Sequence, residues 1–142
     1  MSTPSLLPYS TDQQFYIDEL RNRYGGRTIT TPDGYTVKFF LGEDKHCLHA
    51  LNGKGDPRRR SPPPFNAYRS RHIAYIEYIL MDVSTRVIRI NRQSGNICFV
   101  AHALKYAVIC KPSKKKSLKF VTQLIGTTKY MNDFDNRSKY IY

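Results

Sequence analysis

Between residues 86 and 125, four apolar runs of strand length follow one another with connections too short to hold a helix. The runs at 86–91, 97–104, 105–111 and 118–125 are rich in Val, Ile, Phe and Tyr. Such residues suit a pleated, half-buried surface. The breaks are Gln93-Ser94-Gly95-Asn96 and Pro112-Ser113 with the Lys114-Lys115-Lys116 run, turn-forming in composition. Parallel neighbours need a crossover of a dozen or more residues, so these strands must run antiparallel, as a meander.

The rest of the chain supplies the cover for that sheet. Ser10-Thr11-Asp12-Gln13 has the spacing of a capping box with Ser10 as N-cap. Tyr16, Ile17, Leu20 and Tyr24 then recur at helical spacing, and Gly25-Gly26 ends the helix. Pro32-Asp33-Gly34 is a turn signal inside a hairpin over 27–40. Gly42-Glu43-Asp44 opens a short helix through 45–51. Residues 54–64, KGDPRRRSPPP, form an extended basic loop. Asn66 caps a second long helix from 67 to about 81, with Ile73, Ile76 and Leu80 in one stripe. Residues 1–9 read as a loose arm and 10–125 as the core. Residues 126–142 read as a tail, with a short helix around 130–134 and a frayed end. The expectation is one domain over 1–142. Its class is α+β, with helices packed on one face of an antiparallel four- to five-stranded sheet and the other face basic and open.

Charge decides which partners to consider. The formal net charge is +12, and no Asp or Glu occurs between Asp82 and Asp133. That interval holds Arg86, Arg89, Arg92, Lys105, Lys111, Lys114, Lys115, Lys116, Lys119 and Lys129. A surface of one sign suits a polyanion, nucleic acid before an anionic membrane. No stretch approaches the roughly 18–20 apolar residues of a membrane span. MSTPSLLPYS has neither the basic nor the apolar region of a signal peptide. Three cysteines, Cys47, Cys98 and Cys110, give no disulfide framework and fit a reducing, cytoplasmic setting. The 11 tyrosines could stack on bases or simply pack in the sheet.

Lys45-His46-x-x-His49 is the densest chemical cluster. Residues three apart on a helix share a face, so both histidines can converge. Histidine titrates near neutral pH and serves as general acid or base. A metal-independent ribonuclease needs a base for the ribose 2′-OH, cations for the charged phosphorane and an acid for the leaving 5′-oxygen. Lys45, His46, His49, Arg69, Arg71 and His72 could supply these. Arg58, Arg59, Arg60, Lys105, Lys114, Lys115, Lys116 and Lys119 are the candidate RNA contacts. A zinc site from His46, His49 and the cysteines lacks the spacing of a metal knuckle, so no metal or other cofactor is expected.

The order of parts carries a resemblance. VKFFLGEDKHCLHALNG, with its histidines, precedes the arginine-bearing helix YRSRHIAYIEYIL, and strands ending in KYAVICKP and LKFVTQL follow. Over about 36–125 this resembles the barnase–EndoU–colicin–RelE superfamily of small ribonucleases, in its phage-associated branches. The resemblance implies a metal-independent endoribonuclease, a toxin cleaving cytoplasmic RNA such as tRNA by 2′-OH transesterification. It also implies a cognate antidote or immunity protein, which charge complementarity would make acidic. Carried over, the active residues fall on Lys45, on His46 or His49, on Arg69 or Arg71, and on Thr122. Strand alternation instead groups Thr122 with Leu118, Phe120 and Leu124, under the helices unless a bulge intervenes. The alternative function is a non-catalytic basic module that binds nucleic acid without cutting it.

Overall fold

The computed structural model describes residues 3–41, 67–92, 94–125 and 138–141. Helix α1 spans Gln13–Tyr24 and is followed by the hairpin strands β1 (Thr28–Thr30) and β2 (Thr36–Lys38). Helices α2 (Ala67–Ser70) and α3 (Tyr75–Met81) precede β3 (Val87–Asn91) and β4 (Ile97–Ala101). Then come β5 (Tyr106–Lys114), β6 (Ser117–Ile125) and β7 (Ser138–Ile141). The class is α+β. The sheet is larger than the four or five strands expected: seven, in the order β1-β2-β6-β5-β4-β3-β7. Strands β3 to β6 form the predicted meander. Among the described strands the β2–β6 pair alone is parallel.

Helix α1 begins two residues later than its capping box implied. Asp12 is the N-cap and accepts from the amides of Gln14 and Phe15, while the Ser10 hydroxyl accepts from Asp12 N–H. The tyrosine-rich stripe is buried as expected. It packs with Ile76, Ile79 and Leu80 of α3 against Phe99, Tyr106, Val108, Leu118 and Phe120 on one sheet face.

The second helix is not continuous. It breaks over residues 71–74 between α2 and α3. Two carbonyls at the break each accept from a buried phenol as well as from a backbone amide. Tyr106 Oη donates to His72 O at 3.0 Å and Tyr24 Oη to Ile73 O at 2.9 Å. His72 O also accepts from Tyr75 N–H at 2.9 Å and Ile73 O from Ile76 N–H at 3.2 Å, so each phenol takes up a second lone pair.

Both chain ends depart from expectation. The N-terminal arm is docked, with Leu7 buried, its amide donating to Arg71 O and Tyr16 Oη donating to Pro8 O. The C-terminal segment gives β7, antiparallel to β3, where a frayed end was expected. Pro112 is not in a turn either; it lies within β5. Strand β4 pairs with β5 only as far as Cys110, so a proline beyond it removes no ladder bond on that side. The turn itself is Lys115-Lys116, with Lys116 in the left-handed region at φ 52°.

The second sheet face is not uniformly basic and open. Its centre, around Cys98, Val100, Ala107 and Ile109, is buried. Two arginines from the acid-free interval are buried too, Arg86 at 7% exposure and Arg89 at 3%. The basic part of this face lies at one end of the sheet.

Candidate nucleic-acid interface

Three lysines stand side by side on that end. The parallel β2–β6 register places Lys38 beside Lys119, and the antiparallel β5–β6 register places Lys111 beside Lys119. Adjacent strands lie about 4.8 Å apart, so the row crosses three strands within roughly 10 Å. All three side chains are exposed. The alternation along β2 explains why: Val37 and Phe39 point into the core, so Lys38 and Phe40 take the other side. Phe40 stands next to the row, its ring 5.9 Å from Lys119 Nζ. Among the described residues none of the three lysines makes an ion pair. Like charges directly opposite one another on a sheet are destabilising, and an anion lying across the row removes the repulsion.

The β5–β6 hairpin carries the charge on to its tip. Lys114 and Lys115 are exposed there. Lys116 is partly occupied, since Nζ donates to Asp33 O at 3.3 Å and sits 5.4 Å from the Tyr35 ring centre. It therefore braces the hairpin tip against the β1–β2 turn.

Among the described candidates, Lys105, Arg71 and His72 do not converge on this face. Lys105 sits in the β4–β5 turn at φ 54°, roughly 20 Å along β5 from Lys111 at strand rise. Arg71 belongs to the helix layer, where Nε donates to Leu7 O and the guanidinium faces Tyr9 at 5.9 Å. His72 is buried. Its ring contacts Tyr68, Tyr75 and Tyr106 at 5.0, 5.2 and 6.0 Å. Nδ1 lies 2.9 Å from Tyr68 O, so it carries the proton. Its position is that of a packing group inside the helix layer. Arg69 has its backbone in α2.

At Thr122 the bulge that would shift the register is present. A register shift lies between Cys110, which faces Phe120, and Ile109, which faces Thr122. The extra residue, Val121, packs with the second-face cluster. The backbone register therefore pairs Thr122 with Ile109, past the bulge that breaks simple alternation. Lys45, His46, His49, Arg58, Arg59 and Arg60 lie outside the described residues.

Lys38, Lys111 and Phe40 were not singled out by sequence reasoning. Alternation of Val37 and Phe39 with Lys38 and Phe40 was a usable signal for β2, but the parallel β2–β6 pairing was not. Cys98 and Cys110 occupy opposite faces, and burial raises the Cys98 thiol to about 12. Neither is a ready nucleophile. Among the described residues no group of three His, Cys, Asp or Glu side chains could hold a metal ion. No helix among them is long and apolar enough to cross a membrane. Comparison of the chain with protein-family models, curated proteins and solved structures returns no match.

Proposed function

We propose that this protein binds nucleic acid, RNA in the first place, through the lysine row and the β5–β6 hairpin tip. The row itself supports this reading: Lys38, Lys119 and Lys111 are aligned by register, exposed, and without an ion pair among the described residues. Binding of a polyanion across them releases condensed counterions, so affinity must fall with salt. With Lys114 and Lys115 included, a single strand should give a log–log salt slope of about −3 to −4. The test is a titration of RNA from about 50 to about 200 mM salt. The combined Lys38→Gln, Lys111→Gln, Lys119→Gln variant should flatten the slope by about two. An unchanged slope in that variant would refute the assignment.

The second reading is a metal-independent endoribonuclease. What favours it is where the chain leaves the described fold. Leu41 follows Phe40, which stands beside Lys119. Lys45 and His46 are four and five residues further along the sequence and lie outside the described residues. Groups suited to acid–base work on a 2′-OH thus follow the phosphate-binding strand closely in the sequence. The producer of such an enzyme would need an antidote, and an acidic protein complements the lysine row. Incubation with total RNA in EDTA should yield 2′,3′-cyclic ends, and the His46→Ala, His49→Ala double variant should not. RNA left intact at high protein concentration removes the enzyme and leaves the binder.

A further inference from the structure

We infer that the interface takes a single strand, with one base stacked on Phe40 and the phosphates running along Lys119 and its neighbours. The inference rests on the nucleic-acid reading above and names its substrate class. Phe40 is 51% exposed, one of four large hydrophobic residues so exposed among the described ones. It is the one that shares a face with the lysine row, because it continues the alternation that turns Lys38 outward. Exposure of an aromatic ring at such a place is unfavourable in the free protein, since apolar surface meets water. A base removes that surface from water on stacking.

The geometry suits one nucleotide. Lys119 Nζ lies 5.9 Å from the Phe40 ring centre, comparable with the reach from a base to its own phosphate. The next lysines stand one strand away on either side, Lys38 on β2 and Lys111 on β5. Alternating cations and an aromatic face are the elements by which proteins hold single strands without reading sequence. In a duplex the bases are stacked on one another, and an aromatic side chain on a sheet cannot reach a base face without unstacking it. The row alone would hold a duplex and a single strand alike; Phe40 separates them.

The experiment uses the full chain and four short probes of equal phosphate number: a single-stranded RNA, the DNA strand of the same sequence, an abasic strand and an RNA duplex. The single strands should bind more tightly than the duplex, with RNA held at least as tightly as DNA. Phe40→Ala should weaken the RNA single strand by about 5- to 150-fold, the range for loss of one stacked base. On the abasic strand, the same substitution should have no effect. Phe40→Leu keeps apolar bulk without a flat face and should behave as Phe40→Ala, while Phe40→Trp should retain affinity. Binding that is indifferent to Phe40, or that falls equally on the abasic strand, overturns the stacking assignment and leaves the lysine row intact. A preference for DNA alone overturns the assignment to RNA. Absence of salt-sensitive binding to all four probes overturns both this inference and the reading on which it rests.

Discussion

Arg86 and Lys119 come from the same acid-free interval, and the fold uses them in opposite ways. The Arg86 side chain is 2% exposed and makes a two-pronged pair with Asp33, at 2.7 and 2.8 Å. It also donates to the carbonyls of Ile79 and Leu80 near the end of α3 and lies 4.9 Å from the Phe99 ring centre. One side chain thus joins the β1–β2 turn, the α3 terminus and the sheet. Its charge complements the helix C-terminus as well as the carboxylate. Among the described residues Lys119 joins nothing of this kind. It stands in a row of like charges at the solvent. The acid-free interval as a list of cations therefore overstates the surface available to a polyanion, because Arg86 is spent on Asp33 inside the molecule.

The largest expected effect comes from breaking the Arg86 arrangement. Asp33→Asn leaves Arg86 buried without a counter-charge, and loss of one partner of such a pair costs about 3 kcal/mol. For a chain of 142 residues that is a fall of roughly 10 °C in Tm. The same pair sets an acid limb. Arg86 holds the Asp33 carboxyl well below the usual carboxylate range. A depressed folded-state value means stability that is full above the unfolded value, near 4, and is lost as pH falls toward the folded value. Urea midpoints between about pH 6 and pH 2 should fall more steeply for the wild-type chain than for Asp33→Asn. Parallel profiles would show that the pair does not couple to folding.

A smaller loss is expected at the broken helix. Tyr106→Phe keeps the packed ring and removes the donor to His72 O. About 1 kcal/mol should follow, read as a shift in urea midpoint at constant m-value. Because this phenol lies in the core and not on the lysine row, RNA affinity should not change with it.

How far the sequence could be read follows the range of the interactions involved. The α1 stripe, the β1–β2 turn and the meander depend on neighbours within a few residues, and all are where the pattern puts them. The interruption of the second helix coincides with bonds from Tyr24 and Tyr106, 49 and 34 residues away from the carbonyls that accept them. Pro112 looked like a turn because nothing local says that β4 has already ended beside it. The basic face looked whole because burial of Arg86 is decided by Asp33, 53 residues distant. The lysine row was hidden for the same reason. Lys38 and Lys119 meet only through a parallel pairing between strands separated by the α2–α3 layer.

Lys105→Gly should have a small effect in the stabilising direction. Lys105 adopts φ 54°, ψ 43° at the turn after β4, a conformation that carries a penalty for residues with a Cβ. Glycine removes that penalty, less the extra entropy it loses on folding, for a net gain of about 0.5 kcal/mol. Since Lys105 is far from the row, RNA affinity should drop far less than for Lys119→Gln. An equal drop would extend the interface to the other end of β5 and weaken the contrast between row and remainder.

The smallest effect is the most informative about the comparison, because its sign should oppose that at Arg86. Lys119 is flanked on both sides by lysines in register. Lys119→Gln removes two like-charge contacts and should raise stability by a few tenths of a kcal/mol at low ionic strength. Exposed charges are screened over about 10 Å at 0.1 M salt, so the gain should shrink as salt is added and vanish near 1 M. The response to a ligand should run the other way. A single-stranded RNA in excess should raise the Tm of the wild-type chain more than that of the variant, as ligand linkage requires of the tighter binder. Thermal scans with and without RNA, at two salt concentrations, measure both. If Lys119→Gln instead destabilises the free protein at every salt concentration, Lys119 is a structural cation like Arg86, and the row is not held in readiness for an anion.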